Sequence, residues 1–328
     1  MNKVVILDSG VILHRSIFAY GAEKKRRVLE GNEEEPIPAS YTYLNTCYAI
    51  LKKIGIDRSD IVIIAQDSRN SWRKAFLESY KGQRKALRDS HEHINWGLQY
   101  SLINKLETQL NNTTNWHFMK LENIFNYADL VLTKEGEALQ LEQYGNVSYD
   151  TEFGIESDDI QAVACQRFTD KEIILVTIDE DISQLTYYPN VKIFNPNLKS
   201  PTNKAQRGFY KIVKDPQKIL TKKIRLGDKS DNILVDKNKD TERDILVRKL
   251  IIDLLHLPDW VERPIIHCFE GLNYQKEVNY NNLPFKNSLG KRFDTIYESN
   301  NTRTYEESVI RQEKKDEIQK EKRKKVTA

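Results

Sequence analysis

The segment of residues 156–185 constrains the fold more than any other part of this 328-residue chain. It opens with Glu156, Asp158 and Asp159, followed by apolar residues at helical spacing. Negative charge is favoured in the first turn of a helix, so a helix is predicted to begin at these acids. IILVTI at residues 173–178 is typical of a strand buried on both faces of a parallel sheet.

Three predicted strands deliver an aspartate at or just beyond their carboxyl ends. These are Asp8 after VVIL, Asp67 after IVIIA and Asp179 after IILVTI, with Asp181 close behind. For one aspartate alone, a helix cap or a turn is the simpler interpretation. Three strands that end alike favour a shared site, because α/β sheets bind ligands at the edge where parallel strands end. The alternation of strands and helices predicts a doubly wound, mostly parallel α/β sheet.

Composition narrows the class of protein. With 39% apolar and 30% charged residues, and no apolar run near the ~20 residues of a membrane helix, we expect a cytoplasmic protein without a membrane partner. The amino terminus runs directly into a strand pattern, which argues against a signal peptide. Cys47, Cys165 and Cys268 are isolated, so we interpret them as packing thiols rather than disulfide or zinc ligands.

Basic residues are concentrated between two predicted strands. Lys and Arg outnumber acids in residues 69–88, where the cations are Arg69, Arg73, Lys74, Lys81, Arg84, Lys85 and Arg88. This supplies positive surface for a polyanionic partner. A helical stretch interrupted near residues 89–95 is predicted over residues 72–110, which places Lys81 and Arg84 on one helix face. Trp72, Phe76 and Tyr80 recur at a spacing of four, and core packing is the interpretation we favour over base stacking.

The chain is predicted to divide into a catalytic domain at residues 1–200, a helical unit at 201–298 and a basic, charged tail at 299–328. A Pro- and Asn-rich connection follows Ile193, and a helix is predicted to start at Pro216 and stop at Gly227. The turn GDKSDN comes next and carries Asp228 and Asp231. The tail is predicted to be a polar helix without a burying face.

Five segments resemble, in order, the acid-bearing blocks of the 5′-nuclease family, which includes flap endonucleases and bacterial polymerase 5′-nuclease domains. They are LDSGVILHRS, AQDSRNSWRKAFLESYKGQRK, GIESDDIQAVA, TIDEDISQL and LGDKSDNI. The resemblance spans roughly residues 3–235 and is greatest to phage-encoded members with ribonuclease H activity. It implies a PIN/5′-nuclease-like fold with a helical arch at about residues 68–100. Five ordered motifs are more specific than any one of them.

The resemblance also implies roles for individual residues. It assigns one magnesium site to Asp8, Asp67, Glu156, Asp158 and Asp159, and a second to Asp179, Asp181, Asp228 and Asp231. It gives Tyr80, Lys81 and Arg84 catalytic roles in the arch, with Lys81 and Arg84 addressing the scissile phosphate. Nucleic-acid contacts are expected from Arg69, Arg73, Lys74, Lys85, Arg88, Lys229 and Ser230. Most of the family continues after GDxSDN into a glycine-rich hairpin, but here ILVDKNKDTERDILVRK has no glycine, so the helix-hairpin-helix is degenerate.

The same carboxylates indicate a metal site on physical grounds. Carboxylates crowded at one edge raise one another's pKa values unless cations neutralise them. Oxygen ligands without His or Cys favour Mg²⁺, for which Mn²⁺ can substitute. Two such ions roughly 3.5 to 4 Å apart can activate a water and stabilise the leaving oxygen of a phosphodiester.

We therefore expect a magnesium-dependent 5′-to-3′ nuclease with flap endonuclease activity. Its expected substrates are duplex DNA and RNA/DNA hybrids, and its expected role is primer removal in phage DNA replication. It would act as a monomer, with a single-strand binding protein or a sliding clamp as candidate partners. The alternatives are a PIN-type ribonuclease and a non-catalytic nucleic-acid-binding replication protein. A DxD phosphatase fits less well, because the first strand is followed by Asp8, Ser9 and Gly10.

Overall fold

The computed structural model describes residues 2–144, 147–236, 239–298 and 302–327, with all side chains except those of residues 87, 291 and 322–327. Its strands are β1 Lys3–Asp8, β2 Ile61–Ala65, β3 Trp116–Met119, β4 Phe125–Asn126, β5 Glu152–Phe153, β6 Glu172–Val176, β7 Val191–Lys199 and β8 Arg207–Lys211. Its α-helices are α1 Ser9–Leu29, α2 Ala39–Ile54, α3 Arg73–Phe76, α4 Gln83–Asp89, α5 Trp96–Thr113, α6 Tyr127–Val131, α7 Lys134–Ala138, α8 Leu141–Tyr144, α9 Ser157–Arg167, α10 Pro216–Leu226, α11 Glu242–Ile252, α12 Asp259–Glu270, α13 Lys291–Thr295 and α14 Tyr305–Thr327. Short 3₁₀ helices span Asp181–Tyr187 and Tyr280–Asn282, and a π-helical turn spans Lys286–Gly290.

A six-stranded sheet in the order β3-β2-β1-β6-β7-β8 organises the fold. All its pairings are parallel except that of β7 with β8, and β4 and β5 form a separate antiparallel pair. The three predicted buried strands are β1, β2 and β6, as their apolar sequences indicated. The predicted mostly parallel α/β fold is confirmed.

The two faces of the sheet pack against different helices. In β1, Val5 and Leu7 belong to one hydrophobic cluster with residues of α1, α2 and α5, while Val4 and Ile6 belong to a second cluster with residues of α9 and α12. This alternation follows from the two-residue period of a strand. Val247 of α11 also lies in the second cluster, so the sheet's core extends into residues 201–298. The domain boundaries stay a prediction.

The region between β2 and α5 differs from its predicted helical form. Between β2 and α5, which begins at Trp96, only residues 73–76 and 83–89 are α-helical. Lys81 lies between these helices with a φ of 54°. The expectation that Lys81 and Arg84 share a helix face is therefore wrong. Trp72, Phe76 and Tyr80 are buried, as predicted for core packing.

The last helix also differs from expectation. Ser308 and Arg311 of α14 are buried. Ser308 Oγ accepts a hydrogen bond from Tyr210 N (2.9 Å), and Arg311 Nε donates to Lys199 O (2.8 Å). The prediction of a tail without a burying face is thus wrong for the start of α14, because this turn covers the edge of the sheet at β8. Residues 299–301 and the side chains beyond Glu321 lie outside the described residues.

None of the helices in the described ranges is both long enough and apolar enough to cross a membrane. Cys47, Cys165 and Cys268 are free thiols, and the first two are buried.

Candidate active site

The first acids of the site are held by the starts of two helices. Asp8 caps α1, since its Oδ1 accepts from Gly10 N (3.1 Å), and Thr177 Oγ1 donates to its Oδ2 (3.1 Å). Ser157, the first residue of α9, donates its backbone N–H to Asp67 Oδ1 (2.9 Å) and its hydroxyl to Asp8 Oδ1 (3.4 Å). Asp8 and Asp67 therefore converge, as predicted. Sequence reasoning missed the roles of Ser157 and Thr177, although both lie inside the acidic segments.

The charges in this cluster are poorly compensated. Burial, together with the nearby charges of Asp67 and Asp179, raises the pKa of Asp8 to about 7. Burial and Asp179 also raise the pKa of Asp158 well above its usual value. No hydrogen bond or ion pair joins the Asp158 carboxylate to another described residue. A cation placed among these acids would offset both the desolvation and the repulsion.

Gly10 leaves open space between the first two carboxylates. A Cβ built on Gly10 would lie 3.3 Å from Asp8 Oδ1 and 3.6 Å from Asp67 Oδ2. Any other residue would thus place a methylene group or larger against both acids. The carboxylate oxygens that line this gap are ligands of the kind that small, hard cations prefer.

Asp159 belongs to a buried ion pair. Arg73 donates to Asp159 Oδ1 (2.6 Å) and Oδ2 (3.0 Å), and Trp72 Nε1 donates to Oδ2 (3.0 Å). Asp159 is fully buried and the Arg73 side chain is 2% exposed. Two predictions are corrected by this geometry: Asp159 contributes to a structural ion pair instead of a metal site, and Arg73 is too buried to contact nucleic acid.

Glu156 lies between this ion pair and the cluster. Lys81 Nζ donates to its Oε1 (2.6 Å), while Tyr80 OH (2.9 Å) and Arg73 (2.9 Å) donate to its Oε2. Burial alone would raise the pKa of Glu156, but the charges of Lys81 and Arg73 hold it at about 2. Tyr80 and Lys81 therefore lie at the acid cluster.

The remaining acids form a second group beside the first. Asp179 Oδ1 accepts from Asp181 N (2.9 Å), and Lys223 of α10 pairs with both Asp181 and Asp228. Burial and the charge of Asp179 raise the pKa of Asp181 to about 6. Lys223 was not predicted to lie in the site. Its position five residues before Asp228 was the signal in the sequence that could have indicated this ion pair.

Asp231 connects the basic segment to this second group. Arg84 donates to its Oδ1 (2.9 Å), the Tyr80 hydroxyl oxygen lies 3.3 Å from its Oδ2, and Lys81 N donates to its backbone O (2.9 Å). Gln83 Nε2 donates to Ser230 O (2.6 Å). The three predicted arch residues, Tyr80, Lys81 and Arg84, thus contact acids from both groups.

The other predicted nucleic-acid contacts lie at the surface. Arg69, Lys85, Arg88, Lys229 and Ser230 are exposed, and Lys74 is half-buried. Ser230 also donates its N–H to Asp228 Oδ1 (2.8 Å). These positions remain predictions.

Within the described part of the chain, no three His, Cys, Asp or Glu side chains already have the geometry of a metal site. Lys81, Arg84, Arg73 and Lys223 hold several of the acids instead. The donor chemistry still fits magnesium or manganese, because the acids with the least compensation offer only oxygen ligands.

The fold and the site define an α/β protein with a partly buried acidic cluster at the carboxyl edge of its sheet and with Lys and Arg side chains beside it. The chain is 25% identical over 238 residues to the 5′-3′ exonuclease of Buchnera aphidicola subsp. Schizaphis graminum (strain Sg), and the match covers 71% of this chain and 64% of that protein. This match confirms the predicted resemblance to the 5′-nuclease family.

Two solved structures give further comparisons. A mutant of the T5 5′-exonuclease has 16% identity and a TM-score of 0.37, covering 90% of this chain and 91% of that chain. The T5 5′-exonuclease with bound zinc ions has 16% identity and a TM-score of 0.41, covering 90% and 92%. No family model matches the chain.

Proposed function

We propose that this protein is a divalent-metal-dependent 5′-to-3′ nuclease that hydrolyses phosphodiesters in DNA and in RNA hybridised to DNA. The observation that carries the proposal is the group of undercompensated aspartates at the ends of β1, β2 and β6. Partly buried carboxylates that repel one another destabilise a fold, and such groups are concentrated at functional sites. The similarity to a 5′-3′ exonuclease supports the same activity.

Asp8, Asp67 and Asp158 would hold a first Mg²⁺ ion, and Asp179, Asp181, Asp228 and Asp231 a second, with Mn²⁺ as an alternative ion. Such ions would supply a nucleophilic water and neutralise charge on the leaving oxygen. Asp181 and Asp228 are paired with Lys223, so Lys223 would have to release them. Glu156, whose oxygens accept from Lys81, Tyr80 and Arg73, would orient Lys81 as well as add charge to the first site.

Lys81 and Arg84 would bind the phosphate undergoing cleavage. Both cations lie at the rim of the acid cluster, held by Glu156 and Asp231. A phosphate approaching the metal ions could take over these contacts, because charge-assisted hydrogen bonds to phosphate are equally strong. Tyr80, whose hydroxyl donates to Glu156 and lies 3.3 Å from Asp231 Oδ2, would keep the two carboxylates in place.

A row of cations on α10 would bind the substrate backbone next to the cluster. Lys218, Lys222 and Arg225 recur at helical spacing, are exposed, and have no ion-pair partner among the described residues. They span roughly 10 Å along the helix, and a nucleic-acid strand carries one phosphate per ~3.4 Å, so the row is long enough to face about three phosphates. Lys229 continues the row into the turn that holds Asp228. This surface would offset the repulsion between the acids and a polyanion.

The biological role we propose is removal of primers from lagging-strand fragments in phage DNA replication, with flap endonuclease activity as a second mode. The protein would act as a cytoplasmic monomer, with a single-strand binding protein or a sliding clamp as candidate partners. Residues 1–200 would supply the chemistry and residues 201–298 the grip on duplex.

The deciding experiment follows products from a 5′-labelled DNA flap and from a nicked RNA/DNA hybrid, with Mg²⁺, with Mn²⁺ and with excess EDTA. We expect short 5′ products that require a divalent ion. Undiminished cleavage in EDTA would refute the metal-dependent mechanism, and absence of cleavage on both substrates with either ion would refute the nuclease function.

A further inference from the structure

A buried acid that the proposed chemistry does not use lies directly behind the first two aspartates. Glu107 of α5 is 4% exposed. Its Oε1 accepts from Tyr43 OH (2.7 Å) and Ser9 Oγ (3.3 Å), and its Oε2 accepts from Gln66 Nε2 (2.6 Å). All three of these donors are neutral, and Glu107 forms no ion pair with any residue that the structure describes.

The residues that donate to Glu107 have a common place in the sequence. Ser9 directly follows Asp8, and Gln66 directly precedes Asp67. Tyr43 of α2 is fully buried, and its hydroxyl also lies 3.1 Å from Ser9 Oγ. Ser9, Tyr43 and Glu107 therefore contact one another. One carboxylate therefore ties together the two chain segments that deliver the first pair of acids.

The charge of Glu107 is as informative as its contacts. A neutral amide at position 107 could still accept hydrogen bonds from the two hydroxyl groups and donate one to a turned-over Gln66 amide, so Glu107→Gln removes the charge and can keep the contacts. A buried carboxylate without a paired cation is unfavourable in isolation. The charge of Lys120 acts on Glu107 without forming an ion pair with it among the described residues. A divalent ion held by Asp8 and Asp67 would add a second compensating charge, on the side of Ser9 and Gln66.

We infer that Glu107 is a positioning residue for the first metal ion, which fixes the segments carrying Asp8 and Asp67 and adds negative charge behind them. This inference rests on the proposed metal dependence. It concerns binding of the ion alone and therefore does not need substrate or cleavage.

The test measures Mn²⁺ binding to the full-length protein by calorimetry and by the paramagnetic resonance signal of free Mn²⁺. Glu107→Gln is expected to weaken one of the Mn²⁺ binding steps, the one at the first site, on the order of 10-fold or more, the usual effect of removing a group that orients a metal ligand. The exchange variant Glu107→Gln/Gln66→Glu keeps a hydrogen bond between a carboxylate and an amide but moves the negative charge to position 66, next to Asp67. We therefore expect it to recover part of the Mn²⁺ affinity.

Asp60→Asn is the matched control. Asp60 is also a buried acid with neutral donors, accepting from Lys3 N (2.6 Å) and Asp57 N (2.7 Å), but it lies at the opposite end of the sheet. We expect Asp60→Asn to lower the urea midpoint of the metal-free protein and to leave Mn²⁺ affinity unchanged. If Glu107→Gln behaves like this control, with lower stability and unchanged affinity, the inference is refuted.

Gln66→Met keeps the test decisive if Glu107→Gln does not fold. This change removes only the tie between Glu107 and the Asp67 segment, because Gln66 N still donates to Met119 O (2.9 Å). Weakened Mn²⁺ binding in Gln66→Met supports the inference, and unchanged binding refutes it. A wild type that binds Mn²⁺ but cleaves neither substrate would refute the nuclease function and leave the positioning role standing.

Discussion

Arg73 donates to both carboxylate oxygens of Asp159, at 2.6 and 3.0 Å, inside the protein. Removing one partner of such a pair leaves an uncompensated buried charge. We therefore expect Asp159→Asn to lower the free energy of unfolding by about 3 to 5 kcal/mol. Urea denaturation of the metal-free protein measures this decrease.

The neighbouring acid, Asp158, provides the contrast. It has no hydrogen bond or ion pair with a described residue, and burial and repulsion raise its pKa. We expect Asp158→Asn to leave the metal-free protein as stable as the wild type or more stable. We also expect it to abolish Mn²⁺ binding at the first site. Equal decreases in stability in the two variants would contradict this division of roles.

The sequence was sufficient to predict three of the six strands of the sheet and the convergence of the acids at their ends, whereas β7 and β8 overlap the segment interpreted as a Pro- and Asn-rich connection. Buried β-branched runs mark β1, β2 and β6, and the aspartates at their ends must share an edge in a parallel sheet. Which acid faces the cluster and which faces the core was not predictable, because Asp158 and Asp159 are adjacent. Their difference depends on Arg73, a partner far away in the sequence.

The basic segment shows the other limit of sequence patterns. Helical spacing placed Lys81 and Arg84 on one face, but Lys81 has a positive φ and its N–H donates to Asp231 O. The Lys223 contact with Asp181 and Asp228 likewise depends on tertiary packing of α10. Both contacts join residues far apart in the sequence, and the periodicity of a local segment cannot predict such contacts.

Gly10→Ala tests whether the gap between the first acids holds an ion. The added methyl group would lie against Asp8 Oδ1 and Asp67 Oδ2, so we expect weaker Mn²⁺ binding. Helix propensity favours alanine by up to about 1 kcal/mol, so stability should be retained. Gly97→Ala is the control: Gly97 is likewise the second residue of a helix, and its nearest neighbour to a Cβ is Asn95 at 3.8 Å. Calorimetry with Mn²⁺ compares the two, and equal affinities would argue against an ion in the gap.

Lys81→Ala tests the catalytic assignment at the rim. Lys81 reaches Glu156, whereas Lys85 is exposed on α4 and has no ion pair with a described residue. We expect Lys81→Ala to lower the single-turnover rate at saturating enzyme by about 10²-fold or more, as for removal of a preorganised electrostatic interaction. Arg84→Ala should be less damaging, and Lys85→Ala should weaken binding only. Small, equal effects at all three positions would exclude a catalytic role for Lys81.

Neutralising the α10 row tests the proposed grip on the substrate backbone. We expect the triple change of Lys218, Lys222 and Arg225 to Gln to flatten the salt dependence of duplex binding by about 0.9 in log–log slope for each phosphate that the protein no longer neutralises. The cut site should not move. A control triple change of Lys25, Lys105 and Lys134 to Gln removes the same charge from exposed positions elsewhere. Fluorescence anisotropy across a salt series would refute the assignment if both triple variants gave the same slope.

His117 on β3 predicts a pH dependence of stability that is separate from the acid cluster. Burial, with a smaller contribution from Lys276, lowers the pKa of His117 to about 4. The unfolded chain therefore binds a proton near pH 6.5 that the folded protein does not accept, and stability falls as the pH drops from about 6.5 to 4. We expect this histidine to contribute on the order of 2 kcal/mol to that fall. Urea midpoints measured in EDTA at a series of pH values should show a shallower decline for His117→Phe than for the wild type. His267→Phe, at an exposed position on α12, should follow the wild-type curve, and a His117→Phe curve parallel to the wild type would contradict the prediction.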